Sequence, residues 1–129
     1  MIRVVAAIIE RDARLLICQR RADAVLGGKW EFPGGKLRPG ESPRQALTRE
    51  LREELRVTSE IGDLIQTVRH RYSDVPKTVE ILFFAAHVRE IPRNLAFARI
   101  LWAKRDELPR YDFLAADRHI ISRAARREI

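Results

Sequence analysis

Glu50, Glu53 and Glu54 fall within a five-residue stretch of a 129-residue chain. On a helix they would share one edge, at i, i+3 and i+4. Like charges at that spacing repel, and a neighbouring stripe of Leu47, Leu51 and Leu55 would add a cost of desolvation. A hard divalent cation reverses the sign of that cost. Magnesium prefers oxygen ligands, keeps several waters, and binds through one or two carboxylates together with substrate phosphates. Helix geometry alone leaves a second reading open, a solvated acidic edge balanced by Arg49, Arg52 and Arg56, with Arg49 four residues before Glu53.

The residues ahead of this stretch favour the cation. Gly34-Gly35 permits unusual backbone angles and close approach of main-chain groups to a ligand. Lys36 then adds a compact positive charge suited to phosphate. Arg20 is a second candidate phosphate contact, and either cation could instead be a surface charge. Ser42-Pro43-Arg44-Gln45 places a capping serine, a proline in the first turn and a glutamine three residues after the serine, so a helix starts at 43 and runs to about 55 or 56.

The elements that must hold this helix are read from periodicity and turn residues. Val4–Ile9 and Leu15–Cys18 predict a β-hairpin across Glu10–Arg14. From Gly27 to Gly40 the glycines and prolines predict a long loop with a short extended piece at Trp30-Glu31-Phe32. Two strands, Leu64–Tyr72 and Thr78–Val88, are expected around a Ser73–Lys77 turn, followed by a short strand at Ile100–Trp102 and a last helix over Ala115–Arg127. With no repeat or dividing linker, this is one α/β or α+β domain.

Composition narrows the function classes. Hydrophobic residues at 46% and charged residues at 33% exclude disorder and collagen-like structure. No apolar run approaches the roughly 20 residues of a membrane span, and the start has no signal-peptide layout, so a soluble, cytoplasmic protein is expected. The single cysteine, Cys18, excludes an intrachain disulfide and reads as core. The net charge of +7 suggests an anionic partner. Its distribution excludes a basic arm for nucleic acid: no block of like charge occurs, and residues 31–60 carry six basic and six acidic side chains.

Gly35, Glu41 and the run Arg49-Glu50-Leu51-Arg52-Glu53-Glu54, closed by Val57, resemble the Nudix box, G-x5-E-x7-R-E-U-x-E-E-x-G-U with U aliphatic. Arg56 stands where the motif has glycine, so it must either avoid positive φ or accept strain. Arg20-Arg21-Ala22-Asp23, Trp30–Lys36 and Tyr111–Asp117 extend the resemblance to the MutT-like branch of that family. The resemblance implies an α/β/α sandwich with a mixed sheet. It also implies magnesium-dependent hydrolysis of a nucleoside triphosphate to monophosphate and pyrophosphate, with manganese as a substitute ion, in the sanitation of modified, oxidised or CTP-like nucleotides. By the same resemblance Glu53, Glu54 and the Gly34 carbonyl hold the metal, Glu50 is the base or a further ligand, and Arg49 orients the glutamates.

Arg20, Glu31, Phe32, Lys36 and Asp117 are the expected substrate contacts. The resemblance places Asp117 where relatives read the base. An ionised aspartate would favour bases that present donors, and a capping role for the last helix is the competing expectation. Phe32, Trp30 and Phe113 could stack on a base or fill the core. The family's late glutamate is missing, since Ile91–Arg105 contains no carboxylate. Glu80 is a candidate general base in its place, or one half of a cross-strand pair. A small nucleotide is the expected partner of a monomer or homodimer, with no membrane and no stable nucleic-acid complex. Two alternatives remain: hydrolysis of another nucleoside diphosphate derivative, and a nucleotide-binding module without turnover.

Overall fold

The computed structural model describes residues 1–73 and 77–129. Seven strands and two α-helices follow in the order β1 (Ile2–Arg11), β2 (Arg14–Gln19), β3 (Trp30–Glu31), β4 (Gly34–Lys36), α1 (Pro43–Leu55), β5 (Ser59–His70), β6 (Val79–Val88), β7 (Arg99–Lys104) and α2 (Arg118–Ala125). The path β3-β2-β1-β6-β5 forms the sheet, with β4 on β1 and β7 on β2. β1 pairs parallel to β6, and the other pairs are antiparallel. The sheet is therefore mixed.

β1 shows why the sheet must be covered on both faces. Alternate side chains leave a strand on opposite sides. Val5, Ala7 and Ile9 pack with Leu47, Leu51 and Leu55 of α1, whereas Ala6 and Ile8 pack with Ile120, Ile121 and Ala124 of α2. All five β1 residues are buried. The result is the expected α/β/α sandwich. Among the described residues no helix is long and apolar enough to cross a membrane.

α1 begins as the sequence predicts. Ser42 accepts a hydrogen bond from the Gln45 backbone N–H at 3.2 Å, and the Gln45 side chain accepts from the Ser42 N–H at 2.9 Å. It ends at Arg56, which takes the left-handed conformation at φ 55° and ψ 44° while its N–H donates to the Arg52 carbonyl at 3.0 Å. The chain thus keeps the turn that favours glycine and accepts the strain of a side chain there. Because Arg56 is exposed, Arg56→Gly is expected to raise stability by about 1 kcal/mol without altering activity, as read by thermal melting.

Several boundaries differ from expectation. The glycine-rich segment contributes β4, because Gly34, Gly35 and Lys36 pair with Ala6, Val5 and Val4. β5 begins at Ser59, and two register shifts between Ile61 and Gln66 explain why period-two alternation fails there. β7 is twice the length of the strand expected at Ile100–Trp102. The last helix is shorter than 115–127: Ala115–Asp117 form a 3-10 turn, and α2 covers only Arg118–Ala125. A further 3-10 turn lies at Arg105–Arg110. Residues 74–76 of the expected Ser73–Lys77 turn lie outside the described residues.

Candidate active site

β1, β4 and the 19–32 segment meet the inner edge of α1 around a cavity of about 560 Å³. Ile2, Val4, Ile81 and Leu114 give it apolar walls, and Arg20, Glu31, Lys36, Glu50, Glu54, Tyr72 and Asp117 supply its polar groups. A few convergent polar groups in an apolar cleft are the usual form of a small-molecule site. Of the residues singled out from the sequence, Arg20, Glu31, Phe32, Gly34, Lys36, Glu50, Glu54 and Asp117 line this one cavity.

Glycine is required where α1 approaches β4. A side chain at Gly34 would drive its Cβ into the Val5 carbonyl oxygen of β1, and one at Gly35 would meet the Glu50 carboxyl at 2.5–2.7 Å. Gly35→Ala is therefore expected to displace Glu50 and lower turnover by at least about tenfold while the protein still melts cooperatively, a combination read by assay and calorimetry.

Arg49 organises the acidic edge. Its Nε and Nη2 donate to Glu41 at 2.6 and 2.8 Å, its Nη1 to Glu50 at 2.8 Å and to Glu53 at 3.2 Å, and its Nη2 also to the Lys36 carbonyl at 3.1 Å. These bonds hold the Glu41 carboxyl down at about 2. Glu41 was legible only as a motif position, and the structure gives it the task of gripping Arg49. Glu53 lies off the cavity wall, exposed, between Arg49 and Arg38.

Glu54 is the least satisfied of the group. Its Oε1 is buried with no hydrogen-bond partner among the described residues. Burial and the nearby Glu50, Glu31 and Glu53 raise its carboxyl to about 8, against one favourable hydrogen bond from the Gly34 backbone. A buried acceptor left unmade is costly, and a cation is the partner this one lacks. Glu50 and Glu54 with the Gly34 main chain therefore fit a divalent metal. Among the described residues no three acidic, histidine or cysteine side chains form a ready cage.

At the other end, Arg20 is engaged by protein groups. Its Nη1 donates to both Glu31 carboxylate oxygens at 3.2–3.3 Å, and its Nε donates to the Val25 carbonyl at 2.8 Å, tying the 21–28 loop to β3. Burial nevertheless pushes Glu31 up, against the pull of Arg20. Asp117 is 3% exposed and is raised well above the ordinary aspartate range by burial and then by Glu31, although the Phe32 backbone donates to it. One expectation about Asp117 is corrected. It makes no capping hydrogen bond to α2, since its backbone is already in the right-handed helical region. Its interior site also shifts it toward the neutral acid.

Trp30, Phe32 and Phe113 are all core, at 5%, 2% and 4% exposure; Phe32 packs on Phe83 and Phe113 and also reaches the cavity wall. Glu80 lies on the side of β6 opposite Val79 and Ile81, which face the cavity. Arg3 at 3.1 Å and Arg69 at 3.0 Å clamp it and lower its pKa, so the cross-strand pair describes it and the general-base reading does not. Tyr72 was missed by sequence reasoning, because no spacing links it to the box.

The model of the NUDIX domain family matches residues 4–123. The chain is 39% identical over 120 residues to the CTP pyrophosphohydrolase of Escherichia coli K12, covering 91% of this chain and 86% of that protein. It is 34% identical to the 8-oxo-dGTP diphosphatase of Proteus vulgaris, over 72% and 83% of the two chains. Among solved structures, the MutT protein from Methanosarcina mazei Go1 superposes with a TM-score of 0.86 at 25% identity, covering 98% of this chain and 94% of that one. The solution structure of the E. coli ORF135 protein gives 0.79 at 36% identity, over 95% and 86%. With the box residues gathered as described, this chain belongs to the Nudix family.

Proposed function

We propose that this Nudix hydrolase cleaves a nucleoside triphosphate to the nucleoside monophosphate and pyrophosphate, with magnesium as its ion, and clears non-standard nucleotides from the pool. The observation that carries the reading is the buried, unpartnered Oε1 of Glu54 beside Glu50, on the wall of a cavity large enough for a nucleoside. The relatives named for CTP and 8-oxo-dGTP hydrolysis support the substrate class.

Glu50 and Glu54, with the Gly34 main chain, would hold the metal, and Glu53 would join them only by leaving its pairs with Arg49 and Arg38. When bound, the metal neutralises phosphate charge and lowers the pKa of water. Glu50, held by Arg49 at 2.8 Å, would accept a proton from the attacking water. Lys36 lines the same end of the cavity and offsets charge on the polyphosphate. Phe32 and the apolar walls exclude water around the base, and Glu31 and Asp117 contact its edge. Arg20 acts as a brace between Glu31 and the 21–28 loop rather than as a phosphate ligand.

Product chromatography tests the reaction. Incubation of dCTP, dGTP and 8-oxo-dGTP with magnesium is expected to give monophosphate and pyrophosphate in equal amounts. Diphosphate and inorganic phosphate would reject it.

A further inference from the structure

Among the described residues, Tyr72 is the one polar side chain on the cavity wall that neither the metal end nor the Arg20–Glu31–Asp117 group accounts for. It follows β5, stacks edge-on against His70 at 4.4 Å, and stands half-buried. Its hydroxyl oxygen accepts the Ala116 backbone N–H at 3.1 Å. Ala116 immediately precedes Asp117, so this bond fixes the phenol beside the buried carboxyl. Burial raises the Tyr72 hydroxyl, and the nearby Asp117 and Glu31 add smaller contributions in the same direction.

A phenol carries one proton to donate as well as an oxygen that accepts. Ala116 uses the oxygen. Among the described residues no protein acceptor receives the O–H, while the cavity lies directly against the ring. The tyrosine donor is thus held through Ala116 next to the residue that carries the Asp117 carboxyl, and both side chains line the cavity with Glu31 and Arg20. Such a pair complements a base edge on which an acceptor adjoins a donor, such as the O6/N1–H edge of guanine or the N3/N4–H edge of cytosine.

We infer that Tyr72 is a specificity-determining residue, donating its phenolic O–H to a carbonyl oxygen or ring nitrogen of the bound base while Asp117 engages the neighbouring donor. This rests on the nucleotide reading of the cavity. A site that buries a donor discriminates strongly against a ligand lacking the acceptor, because the donor is then left unpaired.

The test crosses a protein deletion with a substrate deletion. dGTP is compared with 6-thio-dGTP, which keeps N1–H and puts a weakly accepting sulfur in place of O6, and dCTP with 3-deaza-dCTP, which lacks N3 and keeps the N4 donors. For the parent that the wild type hydrolyses better, kcat/KM is expected to exceed that of its analogue by about tenfold or more. Tyr72→Phe is expected to bring that ratio to within about twofold, by lowering the parent and sparing the analogue. A structural role for Tyr72 through Ala116 would lower both alike and leave the ratio unchanged, which overturns the inference. A wild type indifferent to both deletions overturns it as well. Binding of the non-hydrolysable α,β-methylene forms of the same four nucleotides, with magnesium, reads the same ratio. If binding shows the predicted collapse while no substrate is turned over, the hydrolase reading fails and the role of Tyr72 stands.

Discussion

Glu54→Gln is expected to cut turnover by about a thousandfold or more while raising the melting temperature of the metal-free protein at neutral and alkaline pH. Both effects have one source. Burial and the field of Glu50, Glu31 and Glu53 raise the Glu54 carboxyl, one of whose oxygens has no partner, to about 8, so without a cation stability falls as pH rises from the ordinary carboxylate value, where the unfolded chain releases its proton, to about 8, where the folded chain does. Glutamine has nearly the same shape and does not titrate, so it removes that cost together with the metal ligand. Added magnesium should then stabilise the wild type and leave the variant where it was. Calorimetry with and without magnesium, beside the activity assay, checks this. A variant destabilised in metal-free buffer would show that Glu54 serves packing instead.

Asp117→Asn carries the second large effect, a change in base preference of about tenfold or more with a smaller change in the best rate. Aspartate and asparagine share a shape but differ in what they donate, since the neutral acid offers one O–H beside an accepting oxygen and the amide offers two N–H groups beside one. The pH dependence of stability gives an independent readout. The folded pKa is raised by burial, so below the ordinary aspartate value both states hold the proton and the group costs nothing. As pH rises above that value the unfolded chain releases its proton while the folded chain retains it, and stability falls until the folded pKa is passed. Asparagine removes that slope, so the variant should gain on the wild type with increasing pH. A uniform loss on all bases with an unchanged slope would contradict the assignment.

The metal end of the site was legible because its parts are local. Gly35 to Val57 form a strand, a turn and one helix, so fixed spacing in the chain becomes fixed spacing in space, and Ser42-Pro43 announces where the helix begins. The nucleoside end was legible only in part. Glu31 and Asp117 were found through resemblance, but that each is pushed toward its neutral form depends on burial contributed by distant segments. Arg20 looked free in the sequence, and its partners Val25 and Glu31 become evident only once the 21–28 loop folds back. Tyr72 owes its place to a backbone N–H 44 residues away, which no local pattern encodes. Glu80 illustrates the converse. Strand alternation left its direction open, and the parallel register that sets Arg3 opposite it decided the matter.

Departures from the family motif proved milder than their positions suggest. Arg56 keeps the left-handed turn after α1, so the helix edge carrying Glu50 and Glu54 is undisturbed. In addition, the 93–95 segment donates backbone N–H groups to the Leu55 and Glu54 carbonyls, at 2.9 and 3.0 Å, securing the end of α1 that a glycine would otherwise terminate.

The most direct measurement is pyrophosphate release from a panel of standard, oxidised and methylated nucleoside triphosphates, nucleotide sugars and dinucleotides, with magnesium and with chelator. The prediction is stoichiometric pyrophosphate and monophosphate from at least one nucleoside triphosphate, lost with chelator and lost in Glu54→Gln. Nucleotide binding without release from any of the panel, or release that chelator leaves unchanged, would contradict it.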